Sequence, residues 1–256
     1  MTELKDKIVF ITGSSSGIGK ACARRFAEGG AKLLLCARRT ERLKELAHKL
    51  KKEYGTESHL FSLDVRNRKE VNQSIDALPK KWKNIDVLIN NAGLARGLSK
   101  LHEGSIDDWE QMIDTNVKGL LYVSRKVVPD MVLRGRGDII NIGSVAGHEV
   151  YPGGNVYCAT KHAVDALTKG LRMDLVGTPL RVSTVDPGLV KTEFSIVRFH
   201  GDTDKADDVY QGLKPLTAED IAELVYFCAS RPPHVQIAEM IVFPTAQRSA
   251  MIAYRQ

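Results

Sequence analysis

The chain lacks the features that would mark a disulfide scaffold, a metal-binding module or a membrane protein. Its four cysteines, Cys22, Cys36, Cys158 and Cys228, are widely separated and form no C-x-x-C pair. That spacing argues against a disulfide framework and a zinc knuckle, and leaves buried free thiols in a reducing compartment as the default. None of the seven histidines makes an H-x-x-x-H pair, so no metal site is expected. No apolar run approaches membrane-spanning length. The residues before the first apolar run, Glu3, Lys5, Asp6 and Lys7, leave no room for the apolar core of a secretory signal. The expectation is a cytoplasmic protein with no membrane contact. Linkers, low-complexity segments and internal repeats are also missing, so residues 1–256 are expected to form a single domain. The formal net charge of +6, from 37 Lys and Arg against 31 Asp and Glu, is spread over helical faces without a nucleic-acid motif. It implies attraction to small anionic ligands and no nucleic-acid partner.

What is present is an alternation of short, β-branched apolar runs and helical patterns. Lys7–Thr12, Ala31–Ala37, Ser58–Val65, Ile85–Asn90, Asp138–Ile142, Leu180–Val185 and Glu239–Phe243 read as strands, and Thr40–Tyr54 reads as a basic helix. This alternation predicts an α/β fold whose mostly parallel sheet is covered by helices on both faces.

The first run ends at Thr12-Gly13-Ser14-Ser15-Ser16-Gly17-Ile18-Gly19 and enters a helical pattern. Glycines there let the backbone turn tightly and approach a diphosphate, while free N–H groups at a helix start favour the anion. The segment reads as a dinucleotide phosphate loop. Its spacing differs from G-x-G-x-x-G, and an ordinary Gly/Ser turn is the alternative. After the second run, where an NAD-binding fold places an acidic residue for the ribose 2′-OH, the chain has Ala37, Arg38 and Arg39. Two guanidiniums and no carboxylate suit the 2′-phosphate of NADP. The other reading is that both arginines merely begin the solvated face of the basic helix.

Tyr157 and Lys161 lie four residues apart, so on a helix they share a face. A neighbouring cation favours the phenolate of a tyrosine, which otherwise titrates too high for base catalysis. Ser144, just after the Asp138–Ile142 run, is placed to hold the oxygen whose proton moves. Alone, such a Tyr/Lys pair also fits the surface of many amphipathic helices.

Taken in order, the phosphate loop, Asn90-Asn91-Ala92-Gly93, Ser144 and Tyr157-x-x-x-Lys161 resemble the short-chain dehydrogenase/reductase family over nearly the whole chain. The resemblance implies a single-domain, doubly wound Rossmann fold. It also implies a catalytic tetrad of Asn116, Ser144, Tyr157 and Lys161, in which Asn116 holds a water linking Lys161 to solvent. For the cofactor, it implies contacts from Gly13, Ser14, Ser15, Ser16, Gly17, Ile18 and Gly19, from Arg38 and Arg39, and from Asp64 and Val65 at the adenine. Asn91, Ala92 and Gly93 follow, then Tyr157 and Lys161, and Pro187, Gly188, Val190 and Thr192 at the nicotinamide.

Within the family, Asn91–Ala95, Asp108–Glu110, Met112–Asn116, Gly153–Tyr157, Pro187–Val190 and Thr192–Phe199 are similar to the NADP-dependent 3-hydroxy acid dehydrogenases, also called serine or allo-threonine dehydrogenases. That subgroup implies small 3-hydroxy acids or their semialdehydes as substrates and a homotetramer. The ending Glu239–Gln247 lacks the glycine-rich V-D-G-G segment of many relatives. Arg198, in a lid segment spanning 189–214, and Arg96 are candidates for a substrate carboxylate, and Gly154 for the pocket floor. Two rival expectations are a reductase of another ketone or 3-oxoacyl substrate, and a non-catalytic NADP-binding sensor.

Overall fold

In the computed structural model, which describes residues 4–256, the apolar runs form the strands of one seven-stranded parallel sheet. They are β1 (Ile8–Thr12), β2 (Lys32–Ala37), β3 (Ser58–Ser62), β4 (Val87–Asn90), β5 (Asp138–Ile142), β6 (Arg181–Pro187) and β7 (Glu239–Val242). Between them run α1 (Gly17–Glu28), α2 (Thr40–Tyr54), α3 (Arg68–Asp76), α4 (Ile106–Ile113), α5 (Leu120–Arg134), α6 (Asn155–Asp174), α7 (Phe194–Arg198), α8 (Thr203–Asp208) and α9 (Ala218–Ala229). The strand order is β3-β2-β1-β4-β5-β6-β7. The chain winds outward from β1 to β3, then returns to pair β4 on the other side of β1. Such a reversal opens a crevice at the carboxyl ends of the strands.

The inner strands are buried on both faces, which is why they read as nearly continuous apolar runs. Val9, Ile11, Leu33 and Leu35 pack against Phe26 of α1, Leu43 of α2 and Val225 of α9. The alternate residues Phe10, Leu34, Leu88 and Ile139 pack against Val71 of α3 and Val123 and Val127 of α5. Each such large side chain contributes about 1.5–3 kcal/mol on burial.

Helix α2 covers the span its sequence predicts, and Gly55 ends it at φ +70°, a conformation that glycine enters without strain. The third strand is shorter than predicted, stopping at Ser62. Beyond it the Asp64 carboxylate accepts the Arg66 backbone N–H and the Glu70 side chain accepts the Asp64 N–H, so the chain turns before Val65. At the sheet centre, Asn90 donates to Ser124 Oγ and Asn141 Oδ1, each at 2.9 Å, and Asn141 donates to Thr168 at 2.8 Å. This buried polar chain fixes β4 and β5 against α5 and α6. Among the described residues no helix is long and apolar enough to cross a membrane.

Candidate active site

One cleft runs along the carboxyl ends of β1, β2, β4, β5 and β6, lined by the loops that follow them. At its centre the β1 turn carries Gly13 at φ +66° and Gly17 at φ +51°. A Cβ on Gly13 would sit 2.9 Å from the Ala92 Cα, so only glycine lets the two loops approach this closely. Thr12 Oγ1 accepts the N–H groups of Asn91 and Ala92, both at 3.0 Å. The Asn91 amide donates back to the carbonyls of Thr12 and Gly13 at 2.9 and 3.2 Å. Gly13, Ser15, Ser16, Gly17 and Ile18 line the cleft, whereas Ser14 and Gly19 do not. Ser14 is fully buried, bonding the Cys36 carbonyl. Gly19 instead makes room for the Gly13 carbonyl, which a Cβ would meet at 2.6 Å.

Tyr157 and Lys161 lie one turn apart in α6, and Ser144 follows β5. All three are at least nine-tenths buried and line the cleft. The Ser144 hydroxyl accepts the Ala146 N–H at 3.1 Å and donates to the Pro187 carbonyl at 3.4 Å, and its side chain acts to lower the Tyr157 phenol. Lys161 Nζ donates to the Ile142 carbonyl at 2.9 Å and lies 5.9 Å from the centre of the Tyr157 ring. Burial lowers the Lys161 ammonium to about 8, while the Asp186 charge acts to raise it. Burial also drives the Tyr157 phenol above its usual range. The forces pulling it back are the Ser144 side chain and the Arg198 charge. Lys161, the cation the sequence offers for this role, shares a face of α6 with Tyr157 and bonds the Ile142 carbonyl with one of its three donors.

Asn116 sits in a π-helical turn, Asp114–Gly119, joining α4 to α5. Its amide donates to the Leu94 carbonyl at 2.8 Å and to Thr160 Oγ1 at 3.0 Å, and its oxygen accepts the Leu94 N–H at 2.9 Å. Both side-chain donors are therefore engaged in holding the loop after β4 against α6.

Arg198, at the end of α7, lines the cleft beside these groups. Its guanidinium carbon is 5.3 Å from the Tyr157 ring centre and 6.0 Å from that of Phe194. It donates to the Tyr151 hydroxyl, and among the described residues its buried Nε has no hydrogen-bond partner. Arg96, the second candidate, lies outside the cleft because its guanidinium donates to the Val197 carbonyl at 2.7 Å. Together with the Gly97 N–H bonded to the Arg198 carbonyl at 2.8 Å, it ties the loop after β4 to α7. Gly154 is also outside, at the start of α6, where a Cβ would come within 2.0 Å of the Tyr151 ring. Its lack of a side chain is what allows Tyr151 to reach the cleft.

At the far end, Arg38, Arg39, Asp64 and Val65 line the cleft, as do Ala92, Gly93, Pro187, Gly188, Val190 and Thr192 along its length. No carboxylate stands at positions 37–39 at the end of β2. Arg39 donates to Ser16 Oγ at 2.8 Å and to Glu193 at 2.9 Å, and Arg42 also donates to Glu193 at 2.6 Å. Burial works to raise the Glu193 carboxyl, but the two arginines hold it below the usual range. Asp64 faces the same opposition and is likewise held low, by hydrogen bonds from Arg66. Glu193 and Tyr151 are cleft residues that sequence reasoning missed, and so is Gln247, which accepts the Leu189 N–H at 2.9 Å. They come from segments distant in sequence, and no local spacing pointed to them.

A family model described as short chain dehydrogenase matches residues 7–202. The chain is 47% identical over 257 residues to an NADP-dependent 3-hydroxy acid dehydrogenase of Schizosaccharomyces pombe, covering 100% of this chain and 99% of that one. It is 50% identical over 244 residues to a protein of the same description from Salmonella typhi, covering 95% and 97%. It superposes on the closed form of a serine dehydrogenase complexed with NADP+ with a TM-score of 0.91 at 47% identity, covering 97% and 99%.

Proposed function

The chain belongs to the short chain dehydrogenase family, and on that premise we propose that it is an NADP-dependent oxidoreductase interconverting a small 3-hydroxy acid, with serine among the candidates, and the corresponding oxo acid. The observation that carries the substrate class is Arg198: a cation beside Tyr157, in the cleft, with a buried N–H that no group among the described residues accepts. A carboxylate on the substrate answers that donor. The cofactor assignment is supported by the glycine turn at Gly13 and Gly17 and by Arg38 and Arg39 at the end of β2, where positions 37–39 carry no acidic residue.

The bound dinucleotide supplies the hydride acceptor for oxidation and the donor for reduction. Tyr157 takes the alcohol proton on its phenolic oxygen in oxidation and returns it in reduction. Ser144, which lines the cleft with Tyr157, orients the substrate oxygen and steadies the charge developing there. Lys161 contributes a positive charge at pH values below about 8 and holds the nicotinamide ribose. Asn116 keeps the loop after β4 in register with α6. The π-helical turn that carries it is a local irregularity of the kind often retained at functional sites. The segment 189–214 acts as the lid, fastened by Arg96 and Glu193. The whole chain works as one domain, in the cytoplasm, and by the family resemblance as a homotetramer.

The test of the substrate class is Arg198→Met, assayed with 3-hydroxypropionate and with 1-propanol, which lacks the carboxylate. Losing a charge-assisted contact worth about 1.5–3 kcal/mol should lower kcat/KM for the acid roughly ten- to a hundredfold. The already poor rate with the uncharged alcohol should fall less, by only what the lost Arg198 charge does to the Tyr157 phenol, and Arg198→Lys should recover part of the loss. Equal losses on both substrates would assign Arg198 to lid packing and remove the support for an acidic substrate.

A further inference from the structure

Lys161 has an ammonium buried to 7% exposure, and among the described residues no carboxylate lies within ion-pair distance of it. It donates a hydrogen bond to the Ile142 carbonyl. A cation so placed is costly unless a negative charge stands nearby. A negative charge that acts on it comes from β6. Asp186, 2% exposed, precedes Pro187, and its carboxylate is pressed against the backbone of Gly143, the residue after Ile142. A Cβ on Gly143 would lie 1.7 Å from Asp186 Oδ1, so glycine is required there for the carboxylate to reach this point. Burial pushes the Asp186 carboxyl up, and two hydrogen bonds oppose that. Thr184 Oγ1 donates to Oδ1 at 2.7 Å, and His148 Nε2 lies 3.2 Å from Oδ2.

The charged neighbours come from every element around it. His148 approaches from the turn after β5 and is also 3.3 Å from Glu239 on β7. Glu239 opposes ionisation of Asp186, while Lys161 and Lys169 of α6 both feel its negative charge. Asp186 touches neither the cleft nor the reacting groups. Its effect on the chemistry therefore passes through Lys161.

We propose that Asp186 is a positioning residue, the buried counter-charge that keeps Lys161 an ammonium beneath Tyr157, held in place from behind the sheet edge by Thr184 and His148. This rests on the reading that Lys161 supports proton transfer at Tyr157. In Asp186→Asn the shape survives and the charge goes, so Lys161 loses its proton at lower pH. For reduction of the oxo acid by NADPH, which needs the cation and the protonated phenol, the alkaline limb of the kcat profile should shift down by roughly one pH unit. Activity at acid pH should stay near that of the unaltered enzyme. Thr184→Val, which removes one hydrogen bond to the carboxylate, should move the limb in the same direction by less, and it serves if Asp186→Asn does not fold. A folded Asp186→Asn enzyme that binds NADPH and keeps its alkaline limb would overturn the proposal, as would a uniform loss of rate with no shift of that limb. Lys161→Met, run beside them, separates the two readings. If Lys161→Met kept full activity, the role given to Lys161 would fail along with its counter-charge. If it were inactive while Asp186→Asn kept its limb, only the role of Asp186 would fail.

Discussion

Turnover in a Tyr157→Phe variant is expected to fall by about 10²–10⁴-fold, the usual contribution of a positioned acid–base group. The change removes one oxygen from a side chain that is 8% exposed and packed edge-on against Phe194 with ring centres 5.6 Å apart. The ring remains, so the pocket keeps its shape and NADP should bind within a few-fold of its original affinity. Burial pushes the Tyr157 phenol up, and the Ser144 side chain and the positive charge of Arg198 oppose that. Oxidation, which needs the phenolate, is therefore favoured as pH rises, and reduction, which needs the phenol, as it falls. Steady-state rates in both directions with cofactor titrations would check this. Unchanged turnover together with unchanged NADP binding would remove Tyr157 from the chemistry and favour a non-catalytic role for the fold.

The second large effect concerns the cofactor. Replacing Arg38 and Arg39 together with serine should weaken NADP binding by about 1.5–3 kcal/mol, roughly ten- to a hundredfold in Kd, and leave NAD binding nearly as it was. The Arg39 guanidinium is bonded to Ser16 and Glu193, with the paired side chains 45% and 41% exposed. An ion pair so open to water is worth little on its own, so giving it up to a 2′-phosphate carries a small cost. Titration of each variant with NADP and NAD by protein fluorescence measures the difference. Equal weakening for both would mean that the arginines serve the α2 surface and not the phosphate.

These two expectations draw on parts of the site that were legible in the sequence, because they depend on short-range geometry. Helix spacing puts Tyr157 and Lys161 on one face, and a glycine-rich turn between a strand and a helix makes a phosphate loop wherever it occurs. The sheet was legible for a similar reason, since strands buried on both faces leave continuous apolar runs. Residue-level contacts brought together by topology were not. Asp186 meets His148 across 38 positions, Arg39 meets Glu193 across 154, and neither pairing has a local signal. The same gap explains why Ser14, Arg96 and Gly154 sit off the cleft. Each belongs to a segment that borders the site, but hydrogen bonding or close packing turns it elsewhere. Family resemblance located the segments, while the direction of each side chain required the fold.

The measurement that tests the account most directly is NADP reduction with L-serine, L-allo-threonine and 3-hydroxypropionate, compared with NAD and with uncharged alcohols of the same length. The account predicts turnover with NADP on at least one of the 3-hydroxy acids, and weak activity with NAD or without the carboxylate. A preference for hydrophobic or carrier-linked ketones, or silence on all three acids while NADP still binds, would contradict it.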